Sequence, residues 1–124
     1  QVRTMTSPRR LSGTFKRGSS ISIRMTRENP TGTAVDLSGL VTRASFRAGS
    51  VGGSVLFTLT DGDGITISAP TTGVIEMKIN RTRSALMTAG VTVYFDVEQT
   101  NPSDSEYEWQ SRTYFFKPDE QVTR

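Results

Sequence analysis

The sequence contains neither cysteine nor histidine. Without cysteine the chain can form no disulfide, no thiolate nucleophile and no sulfur-ligated metal site. Without histidine it lacks the side chain that most often serves as a general base and as a transition-metal ligand. These two absences exclude the Ser-His and Cys-His arrangements of nucleophilic catalysis. We therefore expect a protein that is not an enzyme and that holds no cofactor or metal.

Long apolar runs are also missing from the sequence. No segment approaches the roughly 20 consecutive apolar residues that a membrane-spanning helix needs. The basic N-terminal segment is not followed by the apolar stretch of a signal peptide. The sequence therefore predicts no membrane partner.

The 124 residues include 34% apolar residues, which come in short runs. A chain of this length fits one domain and buries roughly two thirds of the surface that its unfolded form exposes. Short apolar runs in a chain rich in glycine, serine and threonine favour a β-rich fold.

Apolar and polar residues alternate with period two along most of the chain, which is typical of half-buried strands. Strands are predicted at residues 20–27, 41–48, 55–60, 65–68, 73–80, 91–99 and 107–117, with one helical turn at 84–87. The residues predicted to face the core are Ile21, Ile23, Met25, Ala44, Phe46, Ala48, Val55, Phe57, Leu59, Ile75, Met77, Ile79, Val91, Val93, Phe95 and Val97. The last two long strands are expected to pair as an antiparallel hairpin.

These seven or eight short strands, separated by turn-rich segments, predict an all-β fold. We expect an antiparallel β-sandwich of immunoglobulin-like type, with a small β-barrel as the structural alternative. Residues 1–13 are polar and basic, and we expect them to form an extended N-terminal arm. Residues 14–124 then form the sandwich domain.

The run Asp61-Gly62-Asp63-Gly64 begins like a calcium-binding loop. Such a loop needs a bidentate glutamate at its twelfth position, where this chain has Thr72. We therefore interpret the run as a hairpin turn built on Asp-Gly.

Two pairs of carboxylates, Asp96 with Glu98 and Glu106 with Glu108, have the spacing of residues on one strand face. Paired carboxylates are what glycoside hydrolysis requires. Solvated strand faces produce the same spacing, and we favour that interpretation.

Trp109 lies in the segment richest in aromatic residues, between Tyr107 and Tyr114. Aromatic side chains beside cations stack on single-stranded bases, but this segment is acidic. We expect Trp109 to pack in the core, with an exposed protein-binding edge as the next interpretation.

Charge is distributed unevenly along the chain. The first 27 residues contain seven basic residues and no acid, whereas seven acids follow from Asp96 onward. The residues chosen as candidate contacts are Arg9, Arg10, Lys16 and Arg17, with Glu106, Glu108 and Asp119 as their possible counterparts on a neighbouring copy. The basic residues suit phosphate as well, but no nucleic-acid motif accompanies them, so a protein partner is favoured.

Several short segments resemble those of immunoglobulin-like proteins encoded among bacteriophage head and tail genes. The segments are Phe15-Lys16-Arg17-Gly18-Ser19, Thr33-Ala34-Val35-Asp36-Leu37-Ser38-Gly39, Phe57-Thr58-Leu59-Thr60, Asp61-Gly62-Asp63-Gly64-Ile65-Thr66-Ile67, Gly73-Val74-Ile75, Ala85-Leu86, Tyr94-Phe95-Asp96-Val97 and Val122-Thr123-Arg124. The resemblance implies a symmetric assembly in which a sandwich core carries extended termini that lie on neighbouring subunits.

We therefore expect a structural component of a bacteriophage particle, located in the tail, baseplate, neck or capsid surface. The protein would be made in the host cytoplasm and become part of the virion. Its partners would be copies of itself, as a homo-oligomer, and other virion proteins. The alternatives are a carbohydrate- or receptor-binding sandwich using Tyr94, Tyr107 or Trp109, and an accessory nucleic-acid binder acting through the basic arm.

Overall fold

The computed structural model describes residues 8–119, and strands dominate it. The strands are β1 (Arg9–Arg10), β2 (Ile21–Thr26), β3 (Val41–Ala48), β4 (Val55–Asp61), β5 (Gly64–Thr66), β6 (Val74–Ile79), β7 (Val93–Asn101), β8 (Asp104–Gln110) and β9 (Tyr114–Phe116). The 3-10 turn Pro70–Thr72 precedes β6, and helix α1 (Arg81–Ser84) follows it. The all-β class is confirmed. Within residues 8–119 no helix has the length and apolarity needed to cross a membrane.

The described strands form one curled sheet rather than two clearly separate ones. Their order is β1-β9-β7-β3-β4-β5-β6-β2, and β8 pairs with β7 beside this path. Most neighbours are antiparallel, but β1 with β9 and β4 with β5 are parallel. The sheet is a half-barrel with β1 and β2 at its two ends. Its continuous path differs from the expected pair of stacked antiparallel sheets.

The turn between β4 and β5 explains why the sheet is continuous. The Thr60 N–H donates to the Asp63 carbonyl at 3.1 Å, and the Asp63 N–H donates to the Thr60 carbonyl at 2.9 Å. Gly62 and Gly64 adopt φ angles of +79° and +101°, a region that favours glycine. Asp61 and Gly62 thus form the predicted tight turn, but beyond it β5 pairs with β4 in parallel, so the antiparallel hairpin predicted here is wrong.

The core is built from the alternating residues of the strands and from aromatic contacts between them. Phe46 stacks on Phe57 at 4.7 Å and on Phe95 at 4.6 Å between ring centroids. Most residues predicted to face inward are buried. Val55 is 46% exposed because the register of β3 and β4 shifts beyond Phe46. Val91 is 37% exposed because it lies in a turn before β7.

The predicted strand at 107–117 is two strands on one edge of β7. β8 pairs with the C-terminal part of β7, and β9 pairs with residues 93–95, which confirms the antiparallel hairpin. Between them the Ser111 N–H donates to the Val97 carbonyl at 2.8 Å, and the Ser111 Oγ accepts from the Val97 N–H at 2.9 Å. This side-chain bond replaces a ladder bond and interrupts the strand.

Helix α1 begins three residues earlier than the helical turn predicted at 84–87. The Asn80 Oδ1 accepts the Arg83 N–H at 2.8 Å, which caps the start of the helix. The chain continues through turn bonds to Met87, whose side chain is buried in the core.

Candidate functional site

The basic residues Arg9 and Arg10 lie in β1, at one end of the sheet. The Arg9 N–H donates to the Thr113 carbonyl at 2.9 Å, and the Leu11 N–H donates to the Phe115 carbonyl at 2.9 Å. Both arginine side chains are exposed. Part of the predicted arm of residues 1–13 is thus hydrogen bonded to its own sheet, and residues 1–7 lie outside the described residues.

Lys16 and Asp119 meet within one chain, through their backbones. The Arg17 N–H donates to the Asp119 carbonyl at 2.7 Å, and the Asp119 N–H donates to the Phe15 carbonyl at 2.7 Å. Phe15 packs on Phe116 with 4.5 Å between ring centroids. The structure therefore brings this predicted acid and base together inside the subunit.

The side chain of Arg17 holds the turn after α1. Its Nε donates to the Met87 carbonyl at 2.6 Å, and its Nη2 donates to the Ala85 carbonyl at 3.0 Å. The neighbouring Gly18 N–H donates to the Ser84 Oγ at 2.9 Å. Arg17 is therefore engaged in contacts of its own chain.

An open groove, which we call the seam, separates the two ends of the half-barrel. Its volume is about 290 Å³, and it is lined by residues 9–12 on one side and residues 23–26 on the other. Met77, Phe95 and Tyr114 lie between these walls. The charged residues among the described seam lining, Arg9, Arg10 and Arg24, are all basic, although Glu76 of β6 is the register partner of Arg24.

The β2 wall of the seam presents backbone groups as well as side chains. Among the described strands β2 pairs with β6 alone. The Arg27 N–H donates to the Gly73 carbonyl on the β6 side at 2.7 Å. Because backbone groups alternate along a strand, those of Ser22, Arg24 and Thr26 point away from β6 and towards the seam.

Strand β8 has an acidic exposed face. Asp104, Glu106 and Glu108 are exposed, while Tyr107 and Trp109, on the opposite face, are half-buried. Trp109 packs against the core cluster, as predicted. The pairing of β7 with β8 shifts register, so that residues 105–107 have no partner residue on β7 in the described ladder.

Arg27 follows the β2 wall of the seam and, like Gln99 and Thr42, was not singled out from the sequence. The Arg27 guanidinium lies 4.3 Å from the Trp109 ring centroid, and its Nη1 donates to the Gln99 Oε1 at 2.7 Å. The Gln99 Nε2 donates to the Thr42 Oγ1 at 3.0 Å, and both side chains are buried. The sequence did offer one sign of this contact, because Gln99 continues the row of inward-facing residues of β7 after Val97.

The other carboxylates considered for chemistry are engaged in contacts with other residues. Glu98 forms an ion pair with Arg43 at 2.7 Å, and Asp96 accepts from the Gln110 Nε2 at 2.7 Å. In the Asp-Gly turn, the Arg83 Nη2 donates to the Asp63 Oδ2 at 2.8 Å, which lowers the pKa of Asp63. Within residues 8–119 no three acidic side chains come together in a way that could hold a metal ion.

Comparisons with known proteins add no assignment to this geometry. No protein-family model matches the sequence, and no curated protein is significantly similar to it. The resemblance to phage proteins stays a prediction, and the function proposed below depends on the two exposed surfaces just described.

Proposed function

We propose that the protein is a non-catalytic structural subunit of a bacteriophage particle and that it works by pairing with neighbouring proteins. The observation that carries this proposal is the presence of two incompletely paired strand surfaces of opposite charge, the basic seam and the acidic β8. Natural proteins usually cover or blunt such edges, because they pair readily with other chains. A subunit that is buried in an assembly needs no such protection.

The immunoglobulin-like sandwich is part of the same proposal. The link between β4 and β5 consists of two residue pairs, Thr60 with Gly64 and Asp61 with Ile65. Division at this link leaves one sheet that contains β1, β9, β7, β8, β3 and β4 and another that contains β5, β6 and β2. Residues of both parts, such as Phe46 and Ile75, belong to one core cluster, as in a sandwich.

The surface chemistry favours a protein partner over a glycan. Tyr94, Tyr107 and Trp109 were the sugar-stacking candidates. The Arg27 guanidinium lies 4.3 Å from the Trp109 ring centroid and 5.8 Å from that of Tyr107, and the half-buried Tyr94 packs on Phe115 with 5.8 Å between ring centroids. The seam instead offers arginines and outward-pointing backbone groups, which are the features that recognise an extended peptide.

The proposal is tested by mass spectrometry of phage particles purified by density gradient from a lysate that produces the chain. We expect the chain to sediment with the particles at a fixed ratio to the other virion proteins. Light scattering of the purified chain over a range of concentrations provides the second measurement, with a defined oligomer as the expected result. A chain that is missing from the particles and stays monomeric at all concentrations would rule out the proposal.

A further inference from the structure

The seam is an open position in the sheet whose shape and chemistry suit one more strand. It separates β1 from β2, and the backbone groups of Ser22, Arg24 and Thr26 point into it. An extended segment placed beside β2 would satisfy these groups and continue the sheet, as in β-strand addition. The occupant that fits the seam is therefore a strand.

The charged residues that line the seam indicate the composition of the strand that binds there. Arg9, Arg10 and Arg24 all have exposed side chains and line the seam together. Like charges that face one another across a gap disfavour a basic occupant and favour an acidic one. The occupant should also carry apolar side chains, because the partly buried side chains of Leu11, Met25 and Tyr114 line the seam.

Strand β8 of this chain has these properties. It alternates acidic and aromatic residues in the order Glu106, Tyr107, Glu108 and Trp109. The register shift leaves residues 105–107 without partner residues on β7 in the described ladder, and Glu106 is exposed. The Glu106 N–H donates to the Asp104 Oδ1 at 3.1 Å, and the outer edge of β8, on the side away from β7, pairs with no described strand.

We infer, on the basis of the assembly function proposed above, that the seam binds the exposed segment of β8 around Glu106 from a second copy of the chain. In this contact Glu106 lies against Arg24, and the outer edge of β8 around Glu106 lies beside the seam side of β2. Because the seam and the β8 segment are different surfaces, each copy binds one neighbour through each of them. Such a head-to-tail contact produces a closed ring or a helical stack.

A charge exchange tests the contact. Arg24→Glu and Glu106→Arg each place like charges in the interface, and we expect each to weaken self-association by about tenfold or more. An equimolar mixture of the two variants restores opposite charges in both kinds of contact and should recover the native mass in light scattering. Lys78→Glu, an exposed change on β6, is the matched control and should leave the mass unchanged.

Cysteine cross-linking gives a second readout, because the chain has no cysteine of its own. Under mild oxidation, Arg24→Cys mixed with Glu106→Cys should form a disulfide-linked heterodimer. Thr88→Cys, exposed after α1, mixed with Glu106→Cys is the control and should not cross-link. Thermal unfolding followed by circular dichroism verifies that each variant is folded.

The possible failures are distinguishable. An oligomer that keeps its mass in both charge variants, with no Arg24–Glu106 cross-link, overturns this contact but leaves the assembly function standing. A native chain that is monomeric and missing from particles overturns both. A native chain that instead binds a single-stranded oligonucleotide, with salt-sensitive affinity lost in Arg24→Glu, makes the seam a nucleic-acid site and overturns the inference.

Discussion

At the scale of single residues, Arg27 connects the β7–β8 hairpin to β2. Its guanidinium lies over Trp109 and donates to Gln99, whose amide in turn donates to Thr42. A buried amide that loses a hydrogen-bond partner keeps its desolvation cost without compensation. The half-buried arginine therefore satisfies a buried polar group and positions the strand that carries the acidic face.

Replacing Arg27 by alanine is expected to destabilise the fold by about 1–3 kcal/mol, because the Gln99 Oε1 then lacks its donor. Urea denaturation measures the loss, and the fluorescence of Trp109, the one tryptophan, reports the change at its ring. Lys78→Ala, an exposed change on the neighbouring strand β6, should stay within about 0.5 kcal/mol of the native chain. Equal losses in the two variants would contradict this role of Arg27.

Arg83 controls the ionisation of Asp63. The hydrogen bond and charge of Arg83 lower the pKa of Asp63 below its ordinary value. A carboxyl with a lowered pKa in the folded state contributes stability above its unfolded-state pKa, and this contribution disappears as the pH falls through the folded-state pKa.

Arg83→Gln should therefore raise the pKa of Asp63 towards its ordinary value and remove this part of the acid dependence of stability. Carboxyl chemical shifts followed by NMR from neutral to acid pH measure the change. Arg81→Gln, an exposed change on the same helix, should leave the titration of Asp63 as it is. An unchanged Asp63 titration in Arg83→Gln would show that the contact is not formed in solution.

At the scale of elements, the turn between β4 and β5 depends on Gly64. Its φ angle is +101°, and a Cβ atom at this position would lie 2.6 Å from the Leu59 Cδ2. Gly62 adopts φ +79°, but a Cβ there would meet no atom within 4 Å. Substitutions at the two glycines therefore distinguish the free-energy cost of the backbone conformation from the cost of a steric clash.

Gly64→Ala is expected to lose about 1–3 kcal/mol from its backbone conformation alone, with a further loss from the contact with Leu59. Gly62→Ala should lose only the conformational part. Chemical denaturation of both variants compares them directly. If Gly62→Ala is as costly as Gly64→Ala, the close approach to Leu59 is not a constraint on this turn.

The elements also show what the sequence can and cannot predict. Alternation identified β2, β3 and β6 because each keeps one face in the core along its length. It could not reveal the shift beyond Phe46, because a bulge changes the pairing without changing the local pattern. The Ser111 break was equally hidden, since it depends on hydrogen bonds with Val97 on another strand.

The same limit applies to the site. The uneven charge along the chain identifies Arg9 and Glu106 as candidate site residues. The neighbours of Arg24 and Arg27 are set by the curling of the sheet, which the sequence pattern does not show. Arg17 was chosen as a surface contact, but its side chain binds carbonyls of the turn after α1, distant in sequence. A charged residue in the sequence indicates that its side chain contacts a polar group. The tertiary structure determines which polar group it contacts.

At the scale of the whole molecule, segments near the two ends of the chain close the fold together. β1 pairs with β9, Phe15 packs on Phe116, and the backbones of Lys16 and Asp119 are bridged. The segment 9–17 is therefore integral to the domain, although its composition resembles that of a free arm.

Removal of residues 1–17 is expected to destabilise the domain by several kcal/mol, since it deletes a buried aromatic side chain and the contacts of Arg17 (about 3–5 kcal/mol for Phe15 alone). Removal of residues 1–7 retains all of these contacts and should preserve the thermal unfolding transition. Circular dichroism melting compares the two truncations. A cooperative, native-like transition after removal of residues 1–17 would contradict this account of the segment.

The parallel pairing of β1 with β9 also has a consequence for biosynthesis. Among the described strands, β1 leaves the ribosome first, and its partner β9 follows last. Until β9 emerges, Phe15 lacks the Phe116 ring that it packs against, and the sheet end that it covers stays open. Contacts between such distant segments form slowly, so the domain completes its fold only after β9 has been translated, and the open sheet end is exposed to other newly made copies until then.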